Sequence, residues 1–463
     1  MKVSGSCLSP KEIATLHEAT LRVLARTGVA FAHEQALEIF KKNGARTEGN
    51  RVFIHERLLE RALESIPARF TLYGRESGDH VVVGGGRPVY APASGPVFVK
   101  SGSRKRPASR EDYINLIKLT QGSPVLGVAN YIVVDPQDID VGRRRLFQVA
   151  AALKYSTKPL VGMSVGEGET KQCFELVRDF YGGLEENRML GIISPISPLT
   201  YDRGMVERIM EYARAGQPLM FASCSQPGFT SPATLAGTVV VDNAQQLAGI
   251  VFSQLCKPGL PVIYGSTSVS CDMRHAAPAI GSPEAALMAM ATAALARYYG
   301  LPCRTGGTLT DAKLPDMQAG LESMMVMLAT MISGADFILH ACGIIDSFNT
   351  VSLEKFIIDE VAVAMAERFA AGIDVDEQRL AVEVIERVGP GGMYLGDEHT
   401  AMHFRGELFM PPLLSRENYA GWEEGGALSL EQRARELLEK RLQEYEPPPL
   451  TPAQEKLLMK HLS

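Results

Sequence analysis

From about residue 125 the chain repeats one unit, a short apolar run followed by a helix-length segment, and this repeat most constrains the fold. Apolar runs lie at residues 128–134, 159–163, 191–196, 218–223, 261–265, 302–306 and 337–342, and helical patterns fill the intervals at 143–154, 171–181, 204–215, 234–256, 284–299 and 318–332. A strand that is apolar throughout is buried on both faces, and parallel pairing needs a crossover of helix length between strands. Seven such units at spacings of roughly 30 to 40 residues predict an α/β protein whose simplest closed form is a TIM (β/α)8 barrel. The eighth strand has two candidate positions, between Gly343 and Leu353 or among the strands before residue 100.

The flanks read differently. Ser9-Pro10-Lys11-Glu12 forms a helix-start signature, and residues 9–66 carry helical patterns, whereas residues 70–100 read as strands and turns. Gly84-Gly-Gly86 runs into Arg87-Pro88-Val89-Tyr90, a strand pattern, so it lacks the following helix that a dinucleotide-binding loop requires. The tail alternates charged helix with the break Pro447-Pro-Pro449. The expected organisation is therefore an N-terminal helical and β-strand extension at 1–105, a barrel at 106–425 and a C-terminal helical arm at 426–463.

Composition excludes several functions. With a net charge of −6, the chain lacks the basic face that nucleic acid demands, and its one basic cluster, Arg104-Lys105-Arg106, fits a solvated turn. The uncharged stretch 285–296 is shorter than the roughly 18 to 20 apolar residues of a membrane span, so no membrane partner is expected. Seven cysteines without Cys-x-x-Cys spacing and an N-terminus without a long apolar core point to reduced thiols in a cytoplasm. The apolar helices are compatible with a homo-oligomer.

Polar residues gather where the strands stop, which in a barrel is the active face. The densest cluster is residues 304–322, with Arg304, Gly306, Gly307, Asp311, Lys313, Asp316, Gln318 and Glu322 at a strand-to-helix turn. Glu322 stands in an otherwise apolar helix and reads as a functional carboxylate; Asp311 is balanced between a structural ion pair with Lys313 and substrate contact. His340 ends an apolar strand, where a core role and a site role compete. His399 and His403 have helical metal-ligand spacing, but the glutamate of a His-Glu-x-x-His site is absent, so no metal is expected.

Several segments together resemble the trimethylamine methyltransferase superfamily: Ile193-Ser-Pro-Ile-Ser-Pro-Leu199, Ala222-Ser-Cys224 through Gly237, Gly281-Ser-Pro-Glu284, residues 307–322, Ile358-Asp-Glu360, and Gly389-Pro-Gly-Gly392 with His399-Thr400. The resemblance spans nearly the whole chain. It implies a TIM barrel that passes an N-methyl group to the cobalt of a separate, cognate corrinoid protein. The trimethylamine enzymes carry pyrrolysine and this chain has only standard residues, so it looks like the non-pyrrolysine branch, which demethylates quaternary amines such as glycine betaine, proline betaine or carnitine-like compounds. Asp397-Glu-His399-Thr-Ala-Met402 lacks the glycine of the corrinoid-carrier motif Asp-x-His-x-x-Gly, so the cobalamin is expected on the partner and not bound permanently.

This resemblance orders the candidate residues. Asp311, Glu322 and His340 are the catalytic candidates. Tyr90, Phe229 and Tyr264 would form an aromatic wall for a fixed positive charge, with Asp311 or Glu322 adding negative potential. Arg304, Lys313 or His340 would hold the carboxylate of a betaine, with Gln318 beside them. Gly306, Gly307, Gly391, Gly392 and His399 would face the corrinoid, whose protein would dock over the barrel's carboxyl end near residues 389–403 and Trp422. Two other readings stay open: a barrel lyase or aldolase using Lys313 as an amine nucleophile, and a betaine-binding protein without catalysis.

Overall fold

The structure, a computed structural model, describes every residue except Met1, Ser103, Val165, Glu167 and Ser463, so the outermost expected bounds, 1 and 463, lie outside the described residues. Eight parallel strands form one sheet: β1 (Val89–Tyr90), β2 (Ala129–Asn130), β3 (Leu160–Gly162), β4 (Met189–Ile193), β5 (Leu219–Ser223), β6 (Val262–Ser266), β7 (Cys303–Arg304) and β8 (Phe337–Ile338). Each strand from β2 to β8 pairs with the next, β8 pairs with β1, and a parallel bridge between Tyr90 and Leu126 closes the ring. Closure removes the exposed edges that an open sheet would leave.

The seven strands expected from the apolar runs are all present, and the eighth is β1, among the strands before residue 100. The barrel therefore opens inside the region assigned to the N-terminal extension, and the expected bound at residue 105 falls in the connection after β1. The reason is length: a two-residue strand flanked by Pro88 and Pro92 carries almost no periodic signal.

Each strand is followed by a helix on the outer wall: α1 (Arg110–Gln121), α2 (Val141–Tyr155), α3 (Glu169–Tyr181), α4 (Arg203–Ala215), α5 (Leu235–Cys256), α6 (Pro283–Tyr298), α7 (Met317–Ser333) and α8 (Leu353–Ala371). Ser109, Asp202, Thr234, Ser282, Asp316 and Ser352 each accept a backbone N–H at a helix start. Much of the polar character at the strand ends is thus helix capping. Helix α5 is long and apolar enough to cross a membrane, yet it lies largely buried against β5 and β6 and the N-terminal helices.

Residues flanking the barrel are joined to it. Val29–Phe31 pairs in parallel with Thr200–Tyr201, which lies between β4 and α4, and the hairpin Arg46–Glu48 and Arg51–Phe53 extends the same sheet. At the carboxyl end, strand Phe98–Ser101 from the connection after β1 pairs in parallel with Thr350–Ser352 from the connection after β8, and Arg104–Pro107 pairs antiparallel with the other edge of Phe98–Ser101. The arm is more than a surface appendage. Helix Leu430–Gln443 buries Ala434 and Leu438 against α8, and helix Pro452–Leu462 packs along α2.

Candidate active site

Side-chain alternation decides what enters the barrel. Tyr264 donates its hydroxyl to Asn243 Oδ1 of α5 (3.0 Å), so it points outward and its neighbour Gly265 points to the axis. Arg304 is opposite Gly265 in register, and a Cβ on Gly265 would come within 2.9 Å of Arg304 Cβ, so Arg304 points inward as well. Ala222 is the next residue in that row. Glycine and alanine at these positions leave room in front of the guanidinium.

Arg304 is 1% exposed; its Nη1 donates to Ser266 O (2.7 Å) and Thr267 Oγ1 (2.6 Å), while its Nε has no partner among the described residues. Burial lowers its pKa to about 10, which still leaves it charged at neutral pH. His340 follows β8 with φ 62°, a left-handed conformation that costs a non-glycine residue roughly 1–2 kcal/mol. Its ring lies 4.8 Å from Phe348, and its Nδ1 is buried without a partner among the described residues. Burial first, and then the charge of Arg304, hold its pKa well below the usual histidine range, so the imidazole is neutral.

A buried ion pair supports this backbone. Lys355 Nζ meets both oxygens of Asp359 (2.8 and 2.7 Å) and donates to Thr308 O (3.0 Å), while Asp359 Oδ2 accepts the Gly343 amide (2.8 Å) and the Thr308 hydroxyl (2.9 Å). The Thr308 amide donates to His340 O (3.1 Å). The connection after β7, here loop 7 (residues 305–316), is thereby fastened to the one after β8. Gly306 and Gly307 serve the same closeness. A Cβ on Gly306 would lie 1.7 Å from Thr330 Oγ1, and one on Gly307 would lie 2.6 Å from Leu339 O. Their positive φ and lack of side chain are spent on packing inside the barrel wall.

The two acidic candidates, Asp311 of loop 7 and Glu322 of α7, are fully engaged. Asp311 accepts the amides of Ile280 and Gly281 (3.0 Å each) and the Ser347 hydroxyl (2.6 Å), joining the connections after β6, β7 and β8. Half-buried Glu322 accepts the Thr310 hydroxyl (2.6 Å), the Asp311 amide (2.8 Å) and the Gln318 amide group (2.8 Å). Gln318 is thus oriented toward Glu322. Lys313 is exposed, donating to Asp311 O (2.6 Å) and lying 3.6 Å from Asp346. An exposed lysine in an ion pair lacks the desolvated pocket that activates an amine nucleophile, which removes the basis for a lyase.

The aromatic wall is not assembled as expected. Tyr90 points out of the barrel, donating to Glu367 Oε1 of α8 (3.0 Å), and Tyr264 points out to α5, because both occupy outward positions of the alternation. Phe229 is 47% exposed in the turn after β5. Gly391, Gly392 and His399 lie in the segment after α8. The helix bearing His399 (Glu398–Glu407) is tied through Glu407 to Arg368, in the last turn of α8, which is the amino end of the barrel. Helix α8 carries the chain back to that end, so no contact among the described residues brings these three to the mouth. Trp422 donates its indole N–H to Leu428 O (3.2 Å) and lies beside Leu430, which lines one cavity with Pro315 and Asp316 of loop 7, so the later chain returns to the carboxyl end. The His399 and His403 rings lie 4.3 Å apart, tilted by 39°, and no group of three His, Cys, Asp or Glu among the described residues could hold a metal ion.

The sequence reading overlooked Asp242, the one charged residue of α5. It is buried, accepts the Ser266 hydroxyl (3.2 Å), and receives further serine hydrogen bonds from Ser225, Ser268 and Ser223; burial raises its pKa against them. The criterion applied to Glu322, a lone acid in an apolar helix, would have found it. Cys224, just past β5, is accessible to solvent although protein surrounds it, which places it on the wall of an opening. Its thiol donates to Thr267 O (3.7 Å), and burial, with Asp242 adding, pushes its pKa up to about 11. The mouth thus offers a buried cation and a neutral imidazole with free donor capacity, and a carboxylate behind a screen of serine hydroxyls.

Residues 4–462 match the trimethylamine methyltransferase (MTTB) family. The chain is 39% identical over 451 residues to the glycine betaine methyltransferase of Desulfitobacterium hafniense (strain Y51), covering 96% of this chain and 94% of that protein. It is 37% identical to the proline betaine:corrinoid methyltransferase of Eubacterium limosum, covering 98% and 96%. Among solved structures, the monomethylamine methyltransferase of Methanosarcina barkeri superposes with a TM-score of 0.53 at 12% identity, covering 97% of each chain, which places the two in one fold.

Proposed function

The chain belongs to the trimethylamine methyltransferase family and is a methyltransferase, and from that premise we propose that it demethylates a quaternary amine bearing a carboxylate, with glycine betaine first in order. The observation that carries this reading is Arg304, a charged, buried side chain at the barrel mouth whose Nε lacks an acceptor, beside the unpartnered Nδ1 of His340. A betaine carboxylate supplies the missing acceptor in a charge-assisted hydrogen bond. Relatives named for glycine betaine and proline betaine methyl transfer support the same class.

The chemistry asks little proton traffic of the protein. The methyl carbon's bond to nitrogen breaks, the electron pair stays on nitrogen, and a neutral tertiary amine, dimethylglycine from glycine betaine, is released. The methyl acceptor is reduced cobalt presented as co-substrate by a separate corrinoid protein, in the cytoplasm. A quaternary nitrogen needs no protonation to leave, so the enzyme's tasks are to hold the cation in line, exclude water and neutralise the carboxylate. Arg304 and His340 would take the carboxylate, Asp242 would supply negative potential behind the serines, and Gly265 and Ala222 would provide the space.

The test mixes the purified protein with chemically reduced cobalamin, or with a cognate corrinoid protein, and glycine betaine, proline betaine, carnitine, choline or trimethylamine in turn, following methylcobalamin by absorbance. The expected result is methylation from glycine betaine and little from choline or trimethylamine. Transfer from trimethylamine with none from any carboxylated amine would overturn the reading.

A further inference from the structure

A second polar site lies on the outer wall, between α3 and α4 near the barrel's carboxyl end, where a cleft of about 670 Å3 opens. One wall is the first turn of α3. That helix is preceded by Gly168, in the left-handed conformation, and among the described residues no side chain caps it; its first amide bonds to Gly166 O (3.2 Å), and its later first-turn amides keep the positive character of a helix start beside Glu169, whose Oε2 accepts the Gly166 amide (3.0 Å). The other wall is α4, from which Arg208 enters the lining. Arg208 is 6% exposed, and its Nε and Nη1 have no hydrogen-bond partner among the described residues.

The charges around the cleft leave Arg208 unanswered. Glu207 is engaged by Arg203 (2.7 Å) with His33 at 3.8 Å, and Glu211 is engaged by Arg214. Asp202, the acid that Arg208 feels through space, accepts the Met205 amide as the cap of α4. A guanidinium withdrawn from water without an acceptor is costly, and such groups persist where something else supplies the acceptor. Burial lowers the pKa of Arg208, in keeping with that deficit. Across the cleft, the hydroxyls of Ser164 and Thr170 lie 2.7 Å apart and, among the described residues, bond only to each other, so one of them is free to turn toward a ligand. Lys171 stands at the entrance, exposed and 4.0 Å from Glu175.

We propose that this cleft binds a small molecule through an oxyanion, a phosphoryl or carboxylate group, seated between Arg208 and the first turn of α3. The volume exceeds that of the anion alone, so the remainder of the ligand lies along the cleft between the two helices. The site is independent of the barrel mouth, whose arginine points to the axis while Arg208 is carried by an outer helix.

The experiment titrates the full-length protein with inorganic phosphate and, separately, with acetate, at ionic strength held constant with chloride, reading melting temperature and calorimetric heat. The expected result is saturable binding in one arm or both, with the melting temperature up by about 3 °C at roughly 100 times Kd. Arg208→Gln should weaken that binding at least tenfold while the anion-free protein melts no lower than the wild type, since a buried unpaired charge has been removed. Should Arg208→Gln fail to fold, Lys171→Gln, at an exposed position, should weaken binding about threefold by loss of one approaching charge. Either of two results overturns the proposal. One is the absence of any shift beyond that of chloride. The other is binding unchanged in Arg208→Gln, or in Lys171→Gln if that variant stands in; anion binding of that kind that competes with glycine betaine would belong to the barrel mouth instead.

Discussion

Loop 7 with the start of α7, and the strand ends beneath, use polarity in opposite ways. Above, both carboxylates are saturated by donors of the protein itself: Asp311 by two amides and a hydroxyl, Glu322 of α7 by a hydroxyl, an amide and a side-chain amide. Beneath, Arg304 and His340 are buried with side-chain nitrogens that have no partner among the described residues. Saturated groups build a wall, and unsaturated buried groups wait for a ligand. The difference teaches that the density of functional residue types is a weaker signal than the balance between donors and acceptors.

The sharpest way to break this comparison is to damage the wall alone. Lys355→Met leaves Asp359 buried without its cation and should cost about 4 kcal/mol of stability by urea unfolding, whereas adding Asp359→Leu should recover most of that loss. Next in size, Arg304→Gln should narrow the preference for glycine betaine over tetramethylammonium about 100-fold in kcat/KM, because only the carboxylated substrate loses a charged hydrogen bond. An unchanged ratio would return Arg304 to the wall.

Glu322→Gln turns one acceptor oxygen into a donor facing the donors of loop 7, so it should lower stability by about 1–2 kcal/mol. Methyl transfer measured well below the melting transition should then fall only a few-fold; a loss beyond about 100-fold at full folding would make Glu322 part of the chemistry. His340→Asn should raise the KM for glycine betaine about fivefold. The same variant tests the titration. The folded pKa of His340 lies below its unfolded value, so as pH falls below about 6.5 the unfolded chain takes up a proton that the native protein refuses, and stability declines by up to about 1.4 kcal/mol per pH unit. Melting temperatures from pH 7 to pH 5 should drop less steeply in His340→Asn than in the wild type.

Much of the fold was legible because barrel strands are apolar on both faces and the intervening helices have their own period. Seven strands stood out in that way. The eighth did not, since Val89–Tyr90 makes its contacts with residues far along the chain and contributes two residues to a pattern. At the site, residue type located the correct strand ends, and Arg304 and His340 were among the candidates. What residue type could not supply was direction. Tyr90 and Tyr264 are one position out of phase with the inner row, and a strand of two residues such as β1 gives too short an alternation to set that phase from sequence. Likewise, Gly391, Gly392 and His399 belong to a segment whose destination is decided by the 19-residue helix α8, which carries the chain to the opposite end before they occur.

The seam of the barrel has a consequence in time. The partner of β1 in the sheet, β8, is about 250 residues downstream of it, and on the other side, among the described residues, the isolated Tyr90–Leu126 bridge holds it. At the roughly 5–20 residues per second of translation, the first strand emerges about 10–50 s before the strand that completes it. During that interval the nascent chain carries an open, curling sheet with an unpaired edge at β1, and the ribosome must release residues beyond 338 before the inner row that includes Arg304 is enclosed at all.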